Sequence, residues 1–273
     1  MSEKLTLMAI FAHPDDEAFG CGGVLSKYAH EGSEVHLVMA TLGEAGRLAN
    51  PAIPLTQPIG VVREAELRRA CAAYGVHQLH LLGFVDGQTT VAPQNLAVFK
   101  IVRLLRQYQP QVVISFGADG IYGHYDHLAV HRWVTTGVQL AADATYWPET
   151  GPTHQVAKFY HRAVPLDAIA TIERTTGRTS VPIDGVPFPF VGYPLEKITT
   201  IVDVRAYARK KINGIRCHAS QIDPASPYLQ EDFNPDNFPW FWQETFILAQ
   251  SAEAMKSVVT ANGKETDLFS GLR

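Results

Sequence analysis

The chain has 273 residues with a formal net charge of −4 and 18% charged residues. That balance excludes a broad basic surface for nucleic acid or for an anionic membrane. A hydrophobic share of 46% over this length is enough for one large core.

Leu5–Phe11, apolar except for Thr6, reads as a buried strand. A helix is predicted over Ala18–Glu31, a second strand over Val35–Thr41, a helix over Ile59–Tyr74 and a third strand over Gln78–Leu82. A helix over Asn95–Gln107 follows, with a fourth strand over Val112–Phe116 and a helix from about Asp126 to Leu140. Strands alternating with helices favour an α/β fold whose parallel sheet is covered on both faces. The stretch Gly43–Pro58 reads as a long loop above the second strand, and structureless loops of that length are usually functional. Further on, Val156–Val164 and Thr199–Val204 read as strands that extend or edge the sheet. Thr175–Lys197, rich in proline, and Pro224–Pro239 read as irregular. Ala206–His218 and Trp240–Gln250 read as helices. There is no internal repeat and no clean linker, so 1–273 is expected to be a single domain with cap-forming segments at about 156–240.

Two clusters carry the chemistry. Ala12-His13-Pro14-Asp15-Asp16-Glu17 follows the first strand, and Tyr122-Gly-His124-Tyr125-Asp126-His127 follows the fourth. In α/β chains the active-site crevice opens at the carboxyl ends of the strands. Imidazole and carboxylate donors suit zinc, and a catalytic zinc keeps three protein ligands. His13 and Asp16, three residues apart at a tight strand-to-helix junction, can both point inward, and His127 supplies a third donor. Asp15 is a candidate to accept a hydrogen bond from the bound water, whose proton a nearby carboxylate would take during attack. His124 is a candidate oxyanion stabiliser or proton donor, Asp126 a candidate to set its tautomer or to orient His127 instead, and Tyr122 a candidate for the carbonyl oxygen or the leaving group. Spacing alone leaves manganese and iron open beside zinc. Gly20-Cys21-Gly22-Gly23 lacks the GxGxxG order of a dinucleotide site and is read as allowing close packing of the first helix. No GxSxG elbow is present.

The first cluster resembles the AHPDDE signature of the zinc-dependent N-acetylglucosaminyl deacetylase family, the LmbE-like or PIG-L-like deacetylases, and the second resembles its HxDH signature. Thr41–Gly46, Arg63–Ala70, Leu82–Gly87 and His218-Ala-Ser-Gln221 resemble further family segments, so the likeness spans 7–221. Tyr125 replaces the usual apolar or proline residue inside HxDH. The resemblance implies a Rossmann-like, mostly parallel sheet with helices on both faces and a C-terminal cap or sheet extension. It places Zn²⁺ on His13, Asp16 and His127, the general base on Asp15, the carbonyl or leaving-group contacts on Tyr122 and His124, and the tuning residue on Asp126. It implies removal of acetyl from a small N-acetylglucosamine conjugate, and a homo-oligomer.

Glu44 and Arg47 on the long loop, Asp86 beside Gly87, and His218 are candidate substrate contacts; Arg is suited to paired contacts with carboxylate or phosphate. Arg63 and Glu64 are read as links behind the site. The alternatives are a zinc-dependent amidase or deacylase for another small substrate, and a zinc-containing sugar-binding protein without turnover. Met1-Ser-Glu-Lys4 lacks the start of a signal peptide, and no apolar run reaches the roughly 18 residues of a membrane helix. The three cysteines, Cys21, Cys71 and Cys217, form neither a CxxC pair nor a disulfide framework. A cytoplasmic protein without nucleic-acid or stable membrane partners is expected.

Overall fold

The computed structural model describes residues 4–183, 185–252 and 263–273, so part of the N-terminal leader reading, residues 1–3, lies outside the described residues. In chain order the main elements are β1 (Thr6–Phe11), α1 (Asp16–His30), β2 (Glu34–Met39), α2 (Ile59–Tyr74), β3 (Gln78–Leu81), α3 (Gln94–Tyr108), β4 (Val112–Phe116), α4 (Gly120–Gly123) and α5 (Tyr125–Ala141). They continue with β5 (Lys158–Arg162), α6 (Leu166–Thr176), β6 (Ser180–Ile183), β7 (Val186–Pro189), β8 (Thr200–Asp203), α7 (Ala208–Cys217) and β9 (Gln243–Ser251). The main sheet is mixed and mostly parallel, is flanked by helices on both faces and gains a C-terminal strand, which is the Rossmann-like α/β architecture.

The chain forms two compact units, one from 4–89 with 203–244 and the other from 90–202 with 245–252 and 263–273. In the first unit the strand order is β3-β2-β1, both pairings parallel. Every residue of β1 is buried, which is why its sequence is apolar from Leu7 to Phe11 instead of alternating. β3 is half exposed along its length and reads accordingly as a mixture of polar and apolar residues. Helices α1, α2 and α7 pack together here, and glycine sets how closely. A Cβ at Gly22 would stand 3.0 Å from the Tyr74 ring, and one at Gly23 would stand 2.4 Å from Val204. At Gly214 on α7 a Cβ would come within 2.0 Å of the buried Tyr74 ring. Gly214→Ala therefore overpacks a three-helix contact and should lower stability by about 1–3 kcal/mol, read as a fall in denaturant midpoint at unchanged m-value.

In the second unit the order is β4-β5-β9-β8, with β4 and β5 parallel and β5 and β9 antiparallel. The 263–273 segment is held by Glu265, which takes Lys158 Nζ at 2.5 Å, Tyr160 Oη at 2.5 Å and Thr200 Oγ1 at 3.0 Å. The buried Lys158 is thus fully compensated.

Two sequence expectations need correction, and one element was not anticipated. Trp240–Gln250 is not a helix: a short 3-10 turn, Pro239–Phe241, leads into strand β9. Its centre, Thr245-Phe246-Ile247, is β-branched and aromatic, and its backbone completes the ladder of β5. Thr175–Lys197 is not wholly irregular, since β6 and β7 pair as an antiparallel ribbon from Ser180↔Pro189 to Ile183↔Val186. Prolines are tolerated there because a two-stranded ribbon has only edges. Helix α6 was unforeseen, although Pro165 before it and Gly177 after it, at φ 66°, are ordinary start and stop signals.

Candidate active site

In the first unit the chain leaves β1 and turns at once into α1. The turn is closed by Asp16 N–H donating to the His13 carbonyl (3.2 Å) and Ala18 N–H to that of Asp15 (2.9 Å). Asp15, the helix N-cap, sits at φ 113°, a left-handed backbone that a non-glycine residue holds only under constraint. The Asp16 carboxylate accepts the His13 N–H at 2.7 Å, and its Oδ2 lies 3.4 Å from His13 Nδ1. On the other side of the ring, His13 Nε2 is 3.0 Å from Asp86 Oδ1, and both side chains are 8% exposed.

Asp15 is held separately from that cluster. Arg63 Nη2 donates to its carboxylate at 3.3 Å and to the Pro14 carbonyl at 2.6 Å, while Nη1 reaches the Gly43 carbonyl at 3.1 Å. Burial raises the Asp15 carboxyl to a pKa of about 6, with the Arg63 charge pulling it back down. Glycine is required beside this guanidinium, because a Cβ at Gly43 would fall 2.2 Å from it and one at Gly46 2.3 Å.

The carboxyl ends of β2 and β3 add the remaining candidates of this unit. Glu44 accepts the Asp86 N–H at 3.1 Å and the Leu42 N–H at 3.3 Å, and Asp86 accepts the Ala45 N–H at 3.0 Å. The two loops are therefore knitted together, with Glu44 and Arg47 both exposed. His218 differs from the rest: it is fully buried, with Nε2 2.6 Å from Glu17 Oε1. It has no exposed face to offer a substrate. Burial pushes its pKa down, but the Glu17 charge and hydrogen bond outweigh this and hold it raised.

In the second unit the chain leaving β4 kinks. Asp119 caps α4 by accepting the Ile121 N–H at 2.8 Å, and Ile121 adopts φ 69°. This kink turns Tyr122 towards the following histidines, with ring centroids 5.9 Å from His124 and 5.2 Å from His127. Phe190 backs Tyr122 at 6.0 Å. His124 Nδ1 accepts the Asp126 N–H at 3.1 Å, so the neutral ring carries its proton on Nε2. The Asp126 backbone amide thus sets that tautomer. His127 is buried, stacked on Phe116 at 4.0 Å, and donates Nδ1–H to the Gly120 carbonyl at 3.0 Å. That backing hydrogen bond puts the lone pair on Nε2, the arrangement of a metal-ligating imidazole.

Candidate metal-holding side chains among the described residues are His13 and Asp86 in the first unit and His124, Asp126 and His127 in the second. Their mixture of imidazole nitrogen and carboxylate oxygen fits Zn²⁺. The family described as PIG-L, GlcNAc-PI de-N-acetylase, matches residues 8–138. A 1D-myo-inositol 2-acetamido-2-deoxy-alpha-D-glucopyranoside deacetylase of Geodermatophilus obscurus is 32% identical over 301 residues, covering 100% of this chain and 99% of that protein. The protein of the same description from Thermobispora bispora is 32% identical over 256 residues, 84% and 83% of the two chains. This chain belongs to the PIG-L family.

The N,N'-diacetylchitobiose deacetylase of Pyrococcus horikoshii shares the fold, with a TM-score of 0.63 at 19% identity over 88% of this chain and 82% of that one. GalB, the 4-carboxy-2-hydroxymuconate hydratase of Pseudomonas putida KT2440, also has a TM-score of 0.63, at 16% identity over 91% and 97%. A hydratase on the same scaffold means that fold alone does not decide the reaction, and the site must. Nothing in the residue pattern signals that Asp86 meets His13, or that Phe190 backs Tyr122. Both contacts join residues from separate loops. The Arg63 fork is similarly remote from Asp15, and its loss should be felt there. Arg63→Lys keeps a charge but cannot serve three oxygens in one plane, and should lower kcat/KM by about 10- to 100-fold with zinc content retained, measured by steady-state kinetics and metal analysis.

Proposed function

We propose that this chain hydrolyses the N-acetyl group of a small N-acetylglucosamine conjugate, releasing acetate and a free amine. The observation that carries the reading is the separation of roles around the β1–α1 turn. His13 lies between the carboxylates of Asp16 and Asp86, while Asp15 is held apart by Arg63. A carboxylate held beside the cluster, and not within it, suits a general base. The whole-length likeness to inositol-glucosaminide deacetylases supports the choice of substrate class.

In this reading His13, Asp16 and His127 hold Zn²⁺, which when bound polarises the amide carbonyl and acidifies water. Asp15 takes the proton of the attacking water. His124, through Nε2–H, and Tyr122, through its hydroxyl, donate to the oxygen on which negative charge develops. One of these two, or protonated Asp15, delivers a proton to the departing amine, with Asp126 maintaining the His124 tautomer. Glu44 and Arg47, both exposed, line the sugar side, with Asp86 behind them against His13. The chain acts as one deacetylase domain in the cytoplasm, as a homo-oligomer. The described residues contain no helix long and apolar enough to cross a membrane.

The test is acetate release from a panel of N-acetylglucosamine conjugates by zinc-loaded protein, with and without chelator. Chelator-sensitive release from at least one conjugate is expected. Sugar binding without acetate release would select the non-catalytic reading, and release from N-acyl compounds lacking glucosamine alone would select the general amidase.

A further inference from the structure

One group of buried polar residues beside the β1–α1 turn takes part in no step above. Glu17 and His218 are both 0% exposed, with His218 Nε2 2.6 Å from Glu17 Oε1. The other Glu17 oxygen accepts the Asp15 backbone N–H at 3.1 Å. Beyond His218, the turn Ala219–Gln221 is anchored to α2, since Glu66 takes Ser220 N–H at 2.8 Å and Ser220 Oγ at 2.6 Å. A buried hydrogen-bonded line therefore runs from α2 through the end of α7 to the one residue of the β1–α1 turn that holds φ 113°.

We infer that Glu17 and His218 are positioning residues for Asp15, an inference that rests on the deacetylase reading for its kinetic consequence. Three observations support it. A fully buried ion pair is a poor device for stability, because well-packed apolar residues in its place often do as well. A left-handed aspartate needs its amide fixed from outside, and the Glu17 carboxylate does so with a charge-assisted bond. Glu17 can serve that amide and no other geometry only if its second oxygen is pinned, and His218 is what pins it. Arg63 fixes the Asp15 carboxylate, and Glu17 with His218 fixes its backbone.

His36 and His80 form a separate pair that is hydrogen-bonded within itself. Its nitrogens are 3.0 Å apart with ring planes 13° from parallel, and a centroid spacing of 5.3 Å matches an in-line N–H···N bond.

His218→Gln keeps an N–H donor near the reach of Nε2, whereas His218→Asn withdraws it and His218→Leu removes it. In zinc-loaded protein, His218→Leu should lower kcat about 10- to 100-fold with KM and zinc content unchanged, and His218→Gln should recover most of the loss. Independently of turnover, amide hydrogen exchange at Asp15 should quicken in His218→Leu while exchange in the middle of α1 stays as in the wild type. Should His218→Leu not fold, His218→Asn against His218→Gln gives the same contrast. Wild-type kcat together with wild-type Asp15 exchange in the donor-deficient variant would overturn the inference. So would a His218→Gln protein as impaired as His218→Leu in both readouts. If the wild type released no acetate from any conjugate, the deacetylase reading would fail, and the exchange comparison would still decide whether the pair holds Asp15.

Discussion

Asp15→Asn should leave zinc content and KM close to wild type while kcat falls by about 10²- to 10⁴-fold, the usual contribution of a positioned general base. Asparagine is the informative replacement for two structural reasons. It tolerates the left-handed backbone that Asp15 holds at φ 113°, where alanine would add strain and confuse the result. It also keeps an oxygen for the Arg63 fork, 3.3 Å away in the wild type, so the turn retains its shape. What it loses is the ability to accept a proton. Acetate release under saturating substrate, with metal content measured on the same sample, separates this loss from any loss of zinc. A folded, zinc-loaded Asp15→Asn protein with full turnover would remove Asp15 from the mechanism and leave the base to be found elsewhere.

Much of the fold and of the site is legible in the sequence because the important chemistry is local. Six adjacent residues, 12–17, hold both carboxylate roles and one imidazole. β1 and β4, buried at every position, leave runs that are apolar but for Thr6 and Ser115 and have few other interpretations. Helix α2 was legible to the residue because it begins after Pro58 and stops at Gly75, whose φ is 82°. What could not be read was set by partners distant in the chain. β9 is a strand because β5 offers an edge, and its own pattern of Glu244, Thr245 and Phe246, all buried in succession, shows no alternation. His218 was expected at the substrate, since a histidine after a helix has many uses. Its burial against Glu17 depends on a contact between residues 201 positions apart. The Arg63 fork spans 48 positions to Asp15. Such pairings are invisible to periodicity, which reports which face of an element is buried but not what lies against it.

Removal of the His13 imidazole should act on the metal and not on the proton transfer. His13 has a carboxylate at each nitrogen, Asp16 at 3.4 Å and Asp86 at 3.0 Å. In His13→Ala a donor is gone, and two nearly buried carboxylates lose the group that stood between them. Zinc affinity should therefore fall by more than the roughly 10- to 100-fold typical of residues that only back a ligand. Competition with a chelator of known affinity measures the change directly, and kcat at saturating zinc shows whether the residual site is productive. His154→Ala is a suitable control, since that ring bonds the Pro110 carbonyl at 2.8 Å at the opposite end of β4 and should leave zinc affinity untouched. The contrast with Asp15→Asn is the point of the pair of experiments: one should lose metal and with it activity, the other activity alone. Unchanged zinc affinity in a folded His13→Ala protein would mean that the metal, if the chain holds one, is gripped without the first cluster, and the assignment of His13, Asp16 and His127 would have to be abandoned.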